Sequence, residues 1–352
     1  MSSAGEIRSA DPFLGKIVDG RYKVELLLGS GAVGSVYRAL DRTIHKPVAI
    51  KIWNGAAHNQ QTRGRFEREA LALTTLRHPN IVDVHGYGML DDLPWVAMEY
   101  LDGQALETYF KDGQPLDPAL ALDVITQILQ ALAYAHGLGV VHRDLKPDNV
   151  VLVHGPRNQR LIKLLDFGLA KFLSPEDDPV KGQALTMMGM VMGTPIYMAP
   201  EQAAGKSVDV RVDVYAAGCV LFEMLVGHPP FLGESNAELF RAHLLKPIPQ
   251  LAELRPDVQI APGLQELIDR ALAKRPEQRF ADAGQMLEAV TAIHPPLVRR
   301  RSDVPAPYAP PVFEPEPPRA SAPPARLDRL PLIAALITGV CTAAALAYAL
   351  LF

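Results

Sequence analysis

The sequence predicts an α+β fold in two lobes, a small antiparallel β lobe followed by a larger, mostly helical lobe. Short runs of β-branched and aromatic residues, separated by turn residues, fill positions 22 to 98. Apolar residues at helical spacing dominate positions 102 to 292. The chain has 352 residues, which exceeds the size at which one hydrophobic core keeps growing.

The small lobe is predicted over residues 21–98, after a loose arm at residues 1–20. Strand patterns occur at residues 22–24, 36–39, 48–51, 81–87 and 95–98, and residues 62–77 carry helical spacing. Residues 99–101 are expected to form a hinge. The large lobe would then occupy residues 102–292, with helices at 118–136, 210–226, 237–245, 264–273 and 283–292.

The segment after residue 292 differs in composition from both lobes. Residues 295–324 contain eleven prolines and few large aliphatic residues, so residues 293–329 are predicted to be a disordered, proline-rich linker. Residues 330–352 carry no charge and are long enough to span a bilayer. Arginines precede this segment, so the positive-inside rule predicts a single-pass helix in the cytoplasmic membrane, with the folded domain facing the cytoplasm and no ectodomain.

Composition and residue spacing give expectations about the partners and the compartment of the protein. Ala335, Gly339, Ala343 and Ala347 recur every four residues, which would let two membrane helices pack as a homodimer, although an alanine-rich segment gives this spacing by chance as well. The net charge of −4 offers no basic field and argues against nucleic acid as a partner. The N-terminus lacks the apolar stretch of a signal peptide, and the two widely separated cysteines indicate a reducing compartment.

A glycine-rich turn, Gly29-Ser30-Gly31-Ala32-Val33-Gly34-Ser35-Val36, follows the first strand pattern. Glycine lets backbone amides approach a polyphosphate without a Cβ clash. A dinucleotide-binding unit has the same spacing, but it needs a helix after the glycines and an acid about 20 residues on. Here a strand pattern follows, and Asn54 occupies that position. A hairpin that covers a nucleotide is therefore preferred.

Lys51 ends the apolar strand pattern at 48–51. Burying a lysine without a partner is costly. Two interpretations stay open, a surface lysine or a phosphate-binding cation held by a carboxylate. Glu69, on the following helix, is the candidate for that carboxylate.

The most informative motif is His142-Arg143-Asp144-Leu145-Lys146-Pro147-Asp148-Asn149, which Asp166-Phe167-Gly168 follows. Asp144 is the candidate base for a substrate hydroxyl, and Lys146 could neutralise a moving phosphoryl group. Asn149 and Asp166 offer the oxygen ligands that Mg²⁺ prefers. Each residue alone could be a cap or turn residue. Their ordered spacing favours phosphoryl transfer.

Together with Val48-Ala49-Ile50-Lys51 and Ala199-Pro200-Glu201, these motifs resemble the eukaryotic-like protein kinases, and most of all the bacterial membrane-bound serine/threonine kinases. The resemblance covers residues 22 to 292. It implies the bilobal protein-kinase fold and transfer of the ATP γ-phosphoryl group to serine and threonine hydroxyls of protein substrates. The implied metal is Mg²⁺, with Mn²⁺ as an alternative.

The resemblance also implies roles for individual residues. Lys51 would pair with Glu69, and Met98 would be the gatekeeper. Asp213 would hold the catalytic loop, and Glu201 would pair with Arg279. The implied ATP-binding residues are Leu28, Gly29, Ser30, Gly31, Ala32, Val33, Gly34, Val36, Ala49, Lys51, Met98, Glu99, Leu101 and Val151.

Regulation is implied by Arg143, which precedes the candidate base. In the family, an arginine at this position indicates control by phosphorylation of the activation loop, because a phosphate can satisfy the guanidinium and order the loop. That loop would run from residue 169 to 198, and Thr186 is the candidate phosphosite. Two alternatives to an active protein kinase are considered: an inactive kinase-like membrane scaffold and a small-molecule phosphotransferase.

Overall fold

The computed structural model describes residues 11–31, 33–54, 60–110, 112–155, 160–167, 195–257 and 260–293. The small lobe is an antiparallel sheet in the order β1-β2-β3-β4-β6-β5. Its strands are β1 (Ile17–Val18), β2 (Tyr22–Ser30), β3 (Gly34–Asp41), β4 (Lys46–Trp53), β5 (Val84–Leu90) and β6 (Leu93–Glu99). Helix α1 (Gln60–Thr75) packs against β5 and β6. The predicted small lobe is therefore present; four of its strands are longer than or extend beyond the sequence patterns, and β5 lies three residues after the predicted 81–87.

The large lobe begins with a small sheet in the order β7-β8-β9, formed by β7 (Gly103–Ala105), β8 (Val150–His154) and β9 (Arg160–Leu164). The described helices are α2 (Pro118–Gly137), α3 (Pro200–Ala203), α4 (Arg211–Val226), α5 (Asn236–Leu245), α6 (Leu251–Leu254), α7 (Leu264–Ala271) and α8 (Ala283–Ile293). Short 3₁₀ turns lie at Leu106–Tyr109, Pro147–Asn149 and Pro276–Gln278. Each predicted helix of this lobe is found within about two residues of its expected bounds.

Helices α2 and α4 form the centre of the large lobe. Helix α2 begins where the Asp117 side chain accepts hydrogen bonds from the first-turn amides, and Pro118 occupies the position where its missing N–H costs nothing. Helix α4 is buried along almost its whole length and ends at Gly227, whose φ of 91° favours glycine. These two helices support the loop that carries Asp144.

Helix α2 is the one helix among the described residues that is long and apolar enough to cross a membrane. Nine of its residues are buried in the lobe, which is the behaviour of a core helix. The predicted membrane segment at residues 330–352 and most of the predicted linker at 293–329 lie outside the described residues.

The predicted loose arm at residues 1–20 differs from the structure in its second half. The Asp11 carboxylate accepts a hydrogen bond from the Tyr37 hydroxyl at 3.0 Å, and the Phe13 ring meets the Tyr37 ring edge-on. Strand β1 then pairs with β2. This strap, residues 11–18, covers the outer face of the sheet and buries Val18 and Tyr37. The sequence did not indicate this strap because Tyr37, which holds it, is 26 positions from Asp11.

His243 of helix α5 gives the large lobe a pH dependence. Its side chain is fully buried, and burial, with a smaller effect of Lys274, lowers its pKa to about 4 from 6.5. As pH falls from 6.5 to 4, His243 therefore takes up its proton at a higher pH in the unfolded chain than in the folded chain. The contribution of neutral His243 to the free energy of unfolding is fully present above pH 6.5. It falls by roughly 3 kcal/mol as pH decreases toward 4.

We expect the free energy of unfolding of His243→Asn to fall less steeply than that of the wild type between pH 6.5 and 4. Denaturant titrations at several pH values measure both curves. Parallel curves would show that His243 does not carry this dependence.

Candidate active site

The loop that joins α2 to β8 carries Asp144 and is held from beneath by Asp213. The Asp213 carboxylate, fully buried in helix α4, accepts the backbone N–H of His142 at 2.7 Å and of Arg143 at 2.8 Å. It also contacts His136 Nε2 at 2.9 Å. Arg143 has a φ of 62°, a conformation that non-glycine residues rarely adopt without such support. Asp213 therefore holds the backbone of this loop, as the resemblance implied.

Asp144 lies beside two other predicted site residues. Asn149 Nδ2 donates to the Asp144 main-chain oxygen at 2.8 Å and to its carboxylate at 3.2 Å. The Lys146 ammonium is 3.4 Å from the same carboxylate. Both the Asp144 and Lys146 side chains are more than a third exposed, so they can reach a substrate.

His142 connects this loop to Asp166. Its Nδ1 accepts the Asp144 N–H at 3.3 Å, which leaves the proton on Nε2 to donate to the Leu165 carbonyl at 2.9 Å. The Leu165 N–H in turn donates to the Asn149 carbonyl at 2.9 Å. Burial lowers the pKa of His142 and favours its neutral form. The loop of the candidate base is thus tied to Leu165, the residue before Asp166, by one histidine side chain and one backbone bond.

Lys51 and Asp166 form an ion pair across the lobes. Both side chains are largely buried, and Asp166 has a φ of 52° at the end of β9. The structure therefore gives the Lys51 ammonium a carboxylate partner, but a different one from the implied partner. Glu69 lies on an exposed part of α1, next to buried Ala70, and its pairing with Lys51 stays a prediction.

The glycine-rich turn joins β2 to β3 as a hairpin. Leu28, Gly29, Ser30 and Gly31 are exposed, as expected for a hairpin over a ligand site, and Ala32 lies outside the described residues. A Cβ at Gly34 would collide with the Ile52 carbonyl and lie 3.0 Å from Trp53 Cα. Glycine is needed at position 34 because β3 and β4 approach closely there.

The apolar residues implied for ATP binding come from both lobes. Ala49 and Met98, the implied gatekeeper, are buried in one cluster, with Val33, Val36 and Leu101 packed against it, while Val151 lies on β8. Behind Met98 is an apolar cavity that Asp166 and Phe167 also line, together with Leu73 of α1. The described part of the site is therefore apolar on one side and charged on the other.

Sequence reasoning missed Lys163, which ties the hinge to the strand before Asp166. Its ammonium donates to Glu99 Oε1 at 2.6 Å and to the Ile81 carbonyl at 3.2 Å. The same Glu99 oxygen accepts the Asp83 N–H at 2.9 Å. The Lys163 and Glu99 side chains are 12% and 21% exposed. A lysine two residues before Leu165 in an apolar strand pattern was the available signal.

We expect Lys163→Met to lower the free energy of unfolding by about 1–3 kcal/mol, because it leaves the Glu99 carboxylate without its ammonium partner. Adding Glu99→Gln should recover part of this loss, since the uncompensated charge is then gone. A double-mutant cycle by chemical denaturation measures the coupling. Additive losses would contradict a direct interaction.

The remaining predicted residues are Glu201 with Arg279, Arg143, and Thr186. Glu201 and Arg279 form a two-point ion pair at 2.7 and 2.8 Å, as the resemblance implied. Arg143 lies in the supported loop described above, and its side-chain role stays a prediction. Thr186 and most of the activation loop lie outside the described residues.

Comparisons with known proteins agree with this geometry. The protein kinase domain family matches residues 22–291. The serine/threonine-protein kinase pkn3 of Myxococcus xanthus is 39% identical over 295 residues, which are 83% of this chain and 53% of pkn3. The chain spans 53% of this relative's length and 39% of another, PknD of Mycobacterium tuberculosis.

Two solved structures are similar as well. The kinase domain of Mycobacterium tuberculosis PknI has a TM-score of 0.62 and 30% identity, covering 79% of this chain and 98% of that domain. Rad53 in complex with AMP-PNP has a TM-score of 0.62 and 26% identity, covering 76% of this chain and 64% of that one.

The two lobes and the arrangement of the residues between them are those of a protein kinase domain. The chain belongs to the protein kinase family, and the similar bacterial relatives are named serine/threonine-protein kinases.

Proposed function

We propose that the whole protein is an active serine/threonine protein kinase that uses ATP and Mg²⁺. One observation carries the proposal: Lys51 contacts Asp166, Lys146 and Asn149 contact Asp144, and His142 ties the Asp144 loop to Leu165, the residue before Asp166. An inactive scaffold has no need to keep these groups together. The printed names of the relatives support serine and threonine as acceptors.

The residues present fit a magnesium ion. Asn149 uses its amide nitrogen on Asp144, which leaves its Oδ1 as an oxygen ligand, and Asp166 supplies a carboxylate. Mg²⁺ usually takes one or two protein oxygens and completes its shell with phosphates and water. When bound, the ion would neutralise charge on the ATP phosphates. Mn²⁺ has the same preference for oxygen ligands.

The side chains of this chain would perform the rest of the chemistry. The Asp144 carboxylate orients the acceptor hydroxyl and takes its proton. Lys146, 3.4 Å away, offsets negative charge on the phosphoryl group as it moves between oxygens. Lys51 would exchange its contact with Asp166 for one with the α- and β-phosphates. Catalysis then rests on positioning and charge neutralisation, without a covalent intermediate.

The proposed regulation is autophosphorylation of the activation loop at Thr186, with Arg143 as the phosphate partner. Mass spectrometry of active protein should find phosphate on Thr186, and Thr186→Ala should lower activity. Retained activity in Thr186→Ala, with Thr186 unmodified in the wild type, would remove this part of the proposal.

We further propose that the uncharged segment at residues 330–352 anchors the kinase domain to the cytoplasmic face of the membrane through the proline-rich linker at 293–329. The support is sequence composition and the position of the arginines. Fractionation of cells that express the full chain or a version without residues 330–352 tests it. Recovery of both proteins in the soluble fraction would contradict the anchor.

Autophosphorylation and transfer to protein substrates with labelled ATP test the central proposal. We expect magnesium-dependent label on serine and threonine. No transfer despite nucleotide binding would favour the scaffold, and transfer to small metabolites alone would favour a small-molecule phosphotransferase.

A further inference from the structure

Trp53 lies two residues after Lys51 on strand β4, so the two side chains share one face of the sheet. The Lys51 ammonium is 5.3 Å from the centroid of the Trp53 ring. The ring itself is buried, with 1% of the residue exposed. The charged end of Lys51 therefore contacts two groups, the Asp166 carboxylate and the face of an indole.

The same ring contacts helix α1. Trp53 meets Phe66 edge-on, with ring centroids 5.8 Å apart, and Phe66 meets Tyr87 of β5 at 6.3 Å. Glu69 follows Phe66 by three residues on the same helix. The indole thus lies between the strand that carries Lys51 and the helix that carries Glu69.

The physical effect of this contact does not depend on the ion-pair partner of Lys51. An ammonium within about 6 Å of an indole face is attracted by the ring's quadrupole, and the attraction grows as water is excluded. It would persist while Lys51 moves from Asp166 to a phosphate. The Trp53 Nε1 is buried and has no hydrogen-bond partner among the described residues, so the ring face is the part of this side chain that interacts with charge.

We propose that Trp53 is a positioning residue: it holds the Lys51 ammonium at the phosphate-binding position through a cation–π contact and docks helix α1 against the same strand through Phe66. This inference rests on the proposed kinase activity. Its test is therefore arranged so that a failure of the activity and a failure of the inference give different results.

The chain contains a matched control. Trp95 is its only other tryptophan, and it lies on β6, paired with Ile52. It is as buried as Trp53, with 2% exposed, but it belongs to the cluster on the other face of the sheet, where its ring contacts Tyr22. A loss caused only by removing a large buried ring should be similar at both positions.

The first measurement compares Trp53→Leu, Trp53→Phe and Trp95→Leu in the full chain. We expect Trp53→Leu to lower kcat/KM for ATP by roughly 5- to 30-fold, the range that a desolvated cation–π contact represents. Trp53→Phe keeps a ring face and should stay within about threefold of the wild type. Trp95→Leu should lower the melting temperature as Trp53→Leu does, with little change in kcat/KM.

Equal activity losses in Trp53→Leu and Trp95→Leu would overturn the inference, because Trp53 would then be a core residue only. So would a Trp53→Phe variant as impaired as Trp53→Leu. An inactive wild type would refute the proposed function instead, and the second measurement would then decide on Trp53.

The second measurement uses nucleotide binding and needs no turnover. In a Trp95→Phe background Trp53 is the only tryptophan, so its emission reports on its contact with Lys51. Lys51→Met should change this emission in the protein without nucleotide, and by a similar amount at saturating ADP and Mg²⁺, because the contact persists in both states. An emission that Lys51→Met leaves unchanged in both states would contradict the contact.

Discussion

Asp144→Asn is expected to lower the rate of phosphoryl transfer by about 10²–10⁴-fold, which is the usual loss when a positioned base is removed. Asparagine has almost the same shape, and Asn149 would still donate to the main-chain oxygen of residue 144 at 2.8 Å. The loop should therefore keep its conformation. What is lost is the oxygen that accepts the hydroxyl proton, since an amide cannot take that proton at neutral pH.

Asp148→Asn is the matched control for this variant. Asp148 is exposed in the same loop, so the change removes one negative charge at a short distance from the site. Rates with labelled ATP and a protein substrate should fall in Asp144→Asn and stay within a few-fold in Asp148→Asn. Equal rates for Asp144→Asn and the wild type, with both proteins folded, would show that Asp144 is not the base.

Glu201→Gln is expected to cost about 3–5 kcal/mol of folding stability, because it leaves Arg279 as a buried charge without its counter-ion. The Arg279 side chain is fully buried and the Glu201 side chain is 8% exposed. Arg279 would keep its bond to the Ala273 carbonyl at 2.8 Å. That bond orients the guanidinium but does not neutralise it.

The comparison for this prediction is Glu25→Gln. Glu25 pairs with Arg38 at 3.0 Å on the surface, where both side chains are about a third exposed or more. Exposed pairs contribute only about 0–1 kcal/mol. Denaturant titrations of both variants measure the difference. A Glu201→Gln variant no less stable than Glu25→Gln would show that the buried pair does not contribute this stability.

The chemistry of the site could be predicted from sequence because it is encoded in short segments. Asp144, Lys146 and Asn149 lie within six positions, and a single turn with one bond from the Asn149 side chain to the main chain is enough to bring them together. Asp166 comes two residues after the end of β9, the strand that pairs with β8. Local spacing therefore determined most of their geometry.

The features that sequence analysis missed depend on contacts between distant segments. Lys163 reaches Glu99 across 64 positions, and Tyr37 reaches Asp11 across 26. Sequence analysis made no prediction for Trp53, since nothing in the local pattern indicates that an ammonium will lie over its ring. The predicted partner of Lys51 was Glu69, whereas the structure pairs Lys51 with Asp166, which is 115 positions away in the chain.

Measuring magnesium-dependent nucleotide binding is the most direct test of the proposed nucleotide site. Calorimetry of the full chain with an ATP analogue should show binding that is at least about tenfold tighter with Mg²⁺, and Asp166→Ala should remove this dependence. Such a result would place Asp166 at a metal-bound nucleotide, as the proposed site requires. Absence of binding, or equal affinity with and without Mg²⁺, would contradict the assignment of this site.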